Sequence, residues 1–335
     1  MKHLLNSSTT GPLLAFVAVT AIAGLTTDRF FDSGNLANIA LQVSVVSIVA
    51  IGSTIVILTS GIDLSPGSTI ALLSMALALL VKNFDLSLPT SIAIVLALGA
   101  LLGGLIGTIA AYLRIPSFIA TLAAFSAFRG LAFIPTNGAP IFSLSPSLSS
   151  LFYGSCFGIP LPFYYVLFTY AAGYVFLNLS PTGRKIYAVG GNAVAARLSG
   201  INVQRTQCLA FILAGVASAV GAILFAARLN SGSPNYGTGM ELQAIAASVI
   251  GGASLAGGRG NIFGTLLGAL IITVVQNAMN LNGISSSLQA VIVGGIILLA
   301  VGIDRWRTEL AAVLFLILPK AWRHSAVFKD RHVSH

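Results

Sequence analysis

Two carboxylates are the side chains whose type and setting could do chemistry in this chain. Asp63 stands in the run Thr59-Ser60-Gly61-Ile62-Asp63-Leu64-Ser65-Pro66-Gly67-Ser68, and Glu241 in Gly237-Thr238-Gly239-Met240-Glu241-Leu242-Gln243. Both border long apolar stretches. An ionisable group held in a hydrocarbon layer can carry a proton or sodium ion down its gradient. A structural reading competes at each position. An aspartate just ahead of Pro66 suits an Asx-turn or a helix N-cap, where its carboxylate accepts backbone N–H bonds. Pro66 fits a first helical turn, where its missing N–H costs nothing. Glu241 also precedes an apolar run and reads as a helix start. Asp28, Asp32, Asp85, Asp304, Glu309 and Asp330 fall in loops or at segment ends.

The other polar residues in apolar surroundings are Arg129, Gln42, Gln243, Gln276, Asn277 and Asn280. Arg129 lies near the end of its stretch, so outward snorkelling or an ion pair with a neighbouring helix is the expectation. The neutral amides either join helices or line a polar route. Weak neutral groups suit an uncharged solute. No catalytic constellation is present. All four histidines are terminal, Cys156 and Cys208 are the only cysteines, and no cluster suggests a metal centre. The run Gly257-Gly258-Arg259-Gly260-Asn261-Ile262-Phe263-Gly264 matches neither the P-loop nor the dinucleotide fingerprint. It reads as a tight turn followed by close helix packing. The chain is therefore no enzyme and binds no cofactor of its own. Uphill movement of a solute would draw on a gradient or on a partner ATPase.

The segment Pro181 to Arg205 carries Arg184, Lys185, Arg197 and Arg205 and no acid. It is the largest basic break in an apolar chain and an obvious grip for another protein.

The elements that must position these residues follow from composition. Of 335 residues, 56% are hydrophobic and 7% charged, against about 25% charged in soluble domains. An all-α polytopic membrane protein is the expected class. The formal charge of +9 is explained by positive-inside loops, because no basic face suited to nucleic acid is evident. Ten stretches are long and apolar enough to span: 12–28, 36–58, 66–82, 88–112, 117–134, 162–180, 206–227, 241–257, 261–281 and 285–303. The first, after Lys2, reads as an uncleaved span. With the N-terminus inside, only Arg29, Lys82 and Arg228 of the 17 lysines and arginines fall outside, and Arg129 falls within a span. That asymmetry predicts an N-in, C-in membrane domain over 1–307. Residues 308–335 form a cytoplasmic tail whose run Leu310–Leu318 is too short to span and reads as an interfacial helix.

Ten spans divide into five and five, which would make two related halves inverted. Gly99, Gly103 and Gly107 recur in the fourth span, and Gly260, Gly264 and Gly268 in the ninth. These small-xxx-small faces also suit close helix packing without any repeat.

Several blocks then resemble one family. They are Val-Ile-Leu-Thr-Ser-Gly-Ile-Asp-Leu-Ser at 56–65, Phe-Ile-Ala-Thr-Leu at 118–122 with Arg-Gly at 129–130, and Thr-Asn-Gly at 136–138. More specific are Gly-Arg-Lys-Ile-Tyr-Ala-Val-Gly-Gly-Asn at 183–192 with Arg-Leu-Ser-Gly-Ile-Asn-Val at 197–203. Gly-Thr-Gly-Met-Glu-Leu-Gln at 237–243 and Gly-Gly-Ala-Ser-Leu-Ala-Gly-Gly-Arg-Gly at 251–260 complete the set. Over about 30–303 the chain resembles the monosaccharide, ribose permease-like permeases of bacterial ABC importers. The resemblance implies a multi-pass inner-membrane subunit, paired as a homodimer. A cytoplasmic ATPase that uses ATP and Mg would dock beneath, and a periplasmic sugar-binding protein above. It places the ATPase contact in the loop bearing Gly183, Arg184, Lys185, Gly190, Gly191, Asn192, Arg197 and Gly200. Gly190, Gly191 and Asn192 would form a turn before a short coupling helix, Ala193 to Ser199. Asp63, Asn137, Glu241 and Gln243 are the pathway or gating candidates. The alternative is a gradient-driven secondary transporter using Asp63 or Glu241. Gln243 departs from the family's acid in Glu-Leu-Asp, Pro66 from the usual valine, and the tail is longer than usual.

Overall fold

The computed structural model describes residues 9–317, and they form a predominantly helical bundle. Thirteen α-helices follow one another: α1 Thr10–Thr26, α2 Ser33–Leu58, α3 Pro66–Lys82, α4 Leu88–Ala111, α5 Ser117–Phe133, α6 Pro146–Tyr153, α7 Leu161–Tyr174, α8 Pro181–Gly191, α9 Ala193–Leu198, α10 Val203–Leu229, α11 Met240–Ile250, α12 Ile262–Leu281 and α13 Ser286–Ile317. A 3₁₀ turn, Ile134–Thr136, extends α5, and a π-helical turn, Val175–Leu179, extends α7. Among the described residues, five segments are long and apolar enough to cross a membrane: Ser33–Leu58, Leu88–Ala111, Ser117–Thr136, Val203–Leu229 and Ile262–Leu281. Two small antiparallel pairs decorate one end. β1 (Ile141–Phe142) pairs with β4 (Ser231–Gly232), and β2 (Ser155–Cys156) with β3 (Ile159–Pro160).

α2 is the hub. Every residue from Val43 to Leu58 is buried. A helix apolar all round belongs inside a bundle, and α10, α12, α11 and α7 enclose it. α4 shows the opposite pattern. Its Gly99, Gly103 and Gly107 are buried, while Leu101 and Leu105 are 66% and 53% exposed. Large side chains face lipid and small ones face protein, because hydrocarbon already solvates leucine and backbone approach supplies the packing. The expected glycine face is real. Gly99 and Gly103 meet the backbone of Gly215 and Phe211 on α10, and Gly107 meets that of Cys208.

Four expectations change. The predicted span 241–257 ends at Ile250, and residues 251–261 turn back as an irregular loop. Eleven helical residues rise about 16 Å, roughly half the hydrocarbon thickness. Apolar composition marked residues destined for burial, but five glycines between 251 and 260 disfavour helix. Gly260 consequently lies in this loop, and only Gly264 and Gly268 sit on α12, against Gly251 and Ala247. The basic segment 181–205 is two helices rather than a loop with one. Finally, α13 continues unbroken to Ile317, so residues 310–317 extend the last helix instead of forming a separate one. Residues 318–335 lie outside the described residues.

Candidate functional site

Two breaks in the helical architecture bring the candidate residues together. α2 ends at Leu58 and the chain runs through residues 59–65 before α3 begins at Pro66. Asp63, buried, organises this passage: its Oδ1 accepts the Ser65 backbone N–H at 2.8 Å and the Ser65 hydroxyl at 2.6 Å. This is the Asx-turn expected from sequence. The second break follows α10. Asn230 adopts a left-handed conformation, residues 231–239 are largely irregular, and α11 starts at Met240.

The two helix starts then meet. Gly67, in the first turn of α3, lies directly against the Glu241 carboxylate and the Gly237 carbonyl. Any Cβ at Gly67 would overlap both, so glycine is required by approach. The Glu241 Oε2 is buried with no hydrogen-bond partner. A carboxylate at the start of α3, and in the first turn of α11, is favoured by the partial positive charge of both N-termini.

Arg129 on α5 holds the irregular segment. Its guanidinium donates to the Pro234 carbonyl at 2.6 Å and the Tyr236 carbonyl at 2.9 Å. This corrects the expectation of outward snorkelling or an ion pair with a neighbouring helix. Carbonyls in a non-helical stretch lack intrasegment partners, and a five-donor guanidinium supplies them. Arg129 is also in the field of Glu241.

Above these helix starts is a polar cavity of about 290 Å³. α2 contributes Gln42, α10 contributes Phe225 and Arg228, α11 contributes Gln243, and α12 contributes Gln276. Asn235, Tyr236 and Thr238 come from the irregular segment. Phe225 and Tyr236 stack with ring centroids 5.8 Å apart, and Tyr236 and Ser231 share a hydroxyl–hydroxyl hydrogen bond. Of the pathway candidates, only Gln243 lines this cavity. Glu241 lies beneath it against α3, and Asp63 caps the turn before α3. Asn137 stands apart and exposed, in a left-handed conformation at the end of the 3₁₀ turn. Gln42 and Gln276 carried no signal beyond being amides in apolar stretches.

The basic segment sits at the opposite end, where α2 and α4 finish and α10 begins. α8 ends on Gly190 and Gly191, so these two close a helix rather than form a turn. Asn192 is the break: its Oδ1 accepts the N–H groups of Val194 and Ala195, both at 3.0 Å, and caps α9. Gly190 packs onto the Leu58 carbonyl and the Gly258 N–H, which bond to each other at 3.0 Å. No side chain fits there. The Ser60 hydroxyl lies within hydrogen-bond reach of the Gly190 carbonyl at 3.0 Å and the Ala256 carbonyl at 2.8 Å. The Tyr187 hydroxyl donates to the Gly260 carbonyl at 3.1 Å, and burial pushes this phenol up. Gly183 is buried against the π-helical turn, where it meets the Phe176 and Leu177 carbonyls. Arg184, Lys185 and Arg197 are exposed, as are Val194 and Leu198 on α9, and Gly200 turns the chain into α10 with φ +79°.

Residues 35–301 match the family described as the branched-chain amino acid transport system permease component. The ribose import permease protein RbsC of Escherichia coli (strain K12) is 43% identical over 296 residues, covering 87% of this chain and 92% of the relative. Its namesake from Bacillus subtilis (strain 168) is 40% identical over 300 residues, covering 88% and 92%. The xylose transport system permease protein XylH of Haemophilus influenzae is 34% identical over 354 residues, covering 87% and 94%. No solved structure matches. A match of this length and specificity means that the chain belongs to this ABC-transporter permease family, on its ribose permease-like side.

Proposed function

We propose that this chain is the non-catalytic membrane subunit of an ATP-driven importer, carrying a monosaccharide, ribose first, across the bacterial inner membrane. The observation that carries this reading is the match to ribose import permeases over 87–88% of the chain in three bacteria. The chemistry of the cavity agrees: amides, hydroxyls and Arg228 line it beside the apolar Val45, Val46, Phe225 and Met240, with no carboxylate. A homodimer, a cytoplasmic ATPase using ATP and Mg, and a periplasmic sugar-binding protein complete the proposed assembly.

The same reading keeps the proposed N-in, C-in topology of ten crossings. The eighth becomes a broken crossing, irregular through 231–239 and helical only through α11. Non-helical backbone is tolerated at membrane depth where it is buried in protein or lines a cavity, and segment 231–239 does both. α3 and α11 are the corresponding broken elements of two halves, five crossings each, with helix starts that meet at Gly67 and Glu241. Such a meeting of half-helix N-termini is what an inverted repeat produces. α8 and α9 are the cytoplasmic docking elements. Their packing on Leu58, Ser60 and Gly258 gives the ATPase a mechanical route to both broken elements.

The gradient-driven alternative loses one of its two carriers, because Asp63 is committed to Ser65; Glu241 packs against the start of α3 with its Oε2 unpaired. Reconstitution tests the choice. The chain with its cognate ATPase and binding protein in vesicles is expected to accumulate ribose only with ATP. Ribose uptake by the chain alone, driven by a proton or sodium gradient, would overturn the proposal.

A further inference from the structure

The three glutamines that line the cavity come from three separate helices, α2, α11 and α12. Their side chains carry no hydrogen bond to any other residue among the described residues. Each primary amide offers two donors and a two-lone-pair acceptor. Half-buried amides that the protein leaves free can exchange water for the hydroxyls of a solute. Beside them, the stacked Phe225 and Tyr236 present an apolar wall. The volume, about 290 Å³, is at the lower end of the range of small-molecule sites.

We propose that this cavity is a solute subsite for a neutral polyhydroxylated ring, in which Gln42, Gln243 and Gln276 pair with ring hydroxyls while Phe225 and Tyr236 face its apolar C–H side. The subsite rests on the sugar-permease reading and deepens it. It also decides between the two solute classes named by the family and by the relatives. An amino acid would bring an ammonium group, and no carboxylate lines the cavity to receive it. Arg228 is the sole charged residue in the lining. Hydroxyls that donate and accept at once are the natural complement of three amides. A site built from hydrogen bonds also discriminates between sugars that differ in one hydroxyl, since the wrong epimer leaves an amide unpaired.

Arg129 is the positioning residue. It touches no cavity surface, but its bonds to the carbonyls of Pro234 and Tyr236 fix the segment from which Tyr236 projects.

The test uses the complete transporter, with ATPase and binding protein, in vesicles. ATP-driven uptake of ribose, xylose and leucine is measured for wild type and for Gln42→Leu, Gln243→Leu and Gln276→Leu. The isosteric Gln243→Glu and the shorter Gln243→Asn serve for any leucine variant that fails to assemble. The wild type is expected to import sugar and not leucine. Each leucine variant is expected to lose about tenfold in ribose uptake, the worth of one hydrogen bond of about 1.4 kcal/mol, and to change the ribose-to-xylose ratio at least threefold. A structural role alone would lower both sugars in parallel, so an unchanged ratio in all three variants overturns the subsite while sparing the sugar-permease reading. Import of leucine but of no sugar by the wild type overturns that reading itself.

Discussion

The backbone N–H of Gly258 donates to the carbonyl of Leu58 at 3.0 Å, joining the loop after α11 to the end of α2. Gly190, the penultimate residue of α8, lies on that bond with no room for a methyl group. α8 therefore packs on the end of α2 and on the loop after α11 at once. Tyr187 and Ser60 add hydrogen bonds across the same junction.

Gly190→Ala tests this junction. The added methyl overlaps backbone atoms, which cannot rotate away, so a loss of about 1–3 kcal/mol is expected. Gly191 faces open space, and Gly191→Ala is expected to unfold within a degree or two of wild type. Thermal unfolding of the purified complex compares the pair, and equal melting temperatures would count against the packing argument. ATP-driven uptake should fall in Gly190→Ala and persist in Gly191→Ala.

Arg129→Leu removes the donors to the Pro234 and Tyr236 carbonyls. Hydrogen bonds from a charged donor contribute about 1.5–3 kcal/mol each, so a marked loss of stability and of uptake is expected. Arg129→Lys retains the charge but lacks the guanidinium fork and should recover only part of the uptake. Full uptake in Arg129→Leu would show that segment 233–239 holds its shape without it.

Asp63 separates a turn from a carrier. Asp63→Asn keeps an oxygen for the Ser65 N–H and should retain ATP-driven uptake. Asp63→Ala loses the turn and should cost about 0.5–2 kcal/mol, by analogy with lost caps. Uptake is measured with and without a proton gradient. A gradient-dependent component that disappears in Asp63→Asn would restore the carrier reading.

The proposed docking role of α9 is tested on its exposed apolar pair, Val194 and Leu198, 71% and 85% exposed. An apolar residue seated in a partner's cleft is a typical interface hot spot. Leu198→Asp should weaken ATPase binding by at least about tenfold in a pull-down titration. Arg197→Glu should do the same through charge. Asn192→Ala removes the α9 cap at a cost of about 1 kcal/mol and should weaken binding less. Wild-type affinity in all three variants would place the ATPase contact elsewhere.

Much of this was legible in the residues. Eight of the ten predicted apolar stretches coincide with helical segments to within a few residues, counting the π-helical turn with α7, because long apolar stretches can satisfy their backbone in lipid only by coiling. Asn192 ahead of Ala193, Asp63 ahead of Pro66 and the glycine row on α4 were readable for the same local reason. Each acts within a few residues of itself, or through the absence of its own side chain. The span 241–257 failed because hydropathy records burial and not the path of the backbone. Residues 251–260 are apolar and buried in part, yet their carbonyls and N–H groups find partners on α2, as Gly258 does on Leu58, and within the loop, as Ser254 does on Arg259.

Sequence by itself determined the class, most of the helices, the Asn192 cap and the Asp63 turn, since all of these depend on composition and local spacing. Tertiary structure alone decided that Gln42, Gln243 and Gln276 share one cavity, that Arg129 turns inward to Pro234 and Tyr236, and that Gly190 rests on Leu58. Apart from Gln243 and Gln276, these pairings join residues more than 100 positions apart. Their partners are backbone carbonyls and neutral amides, which every stretch of chain possesses, so only the packing of α2 among α10, α11 and α12 could single them out.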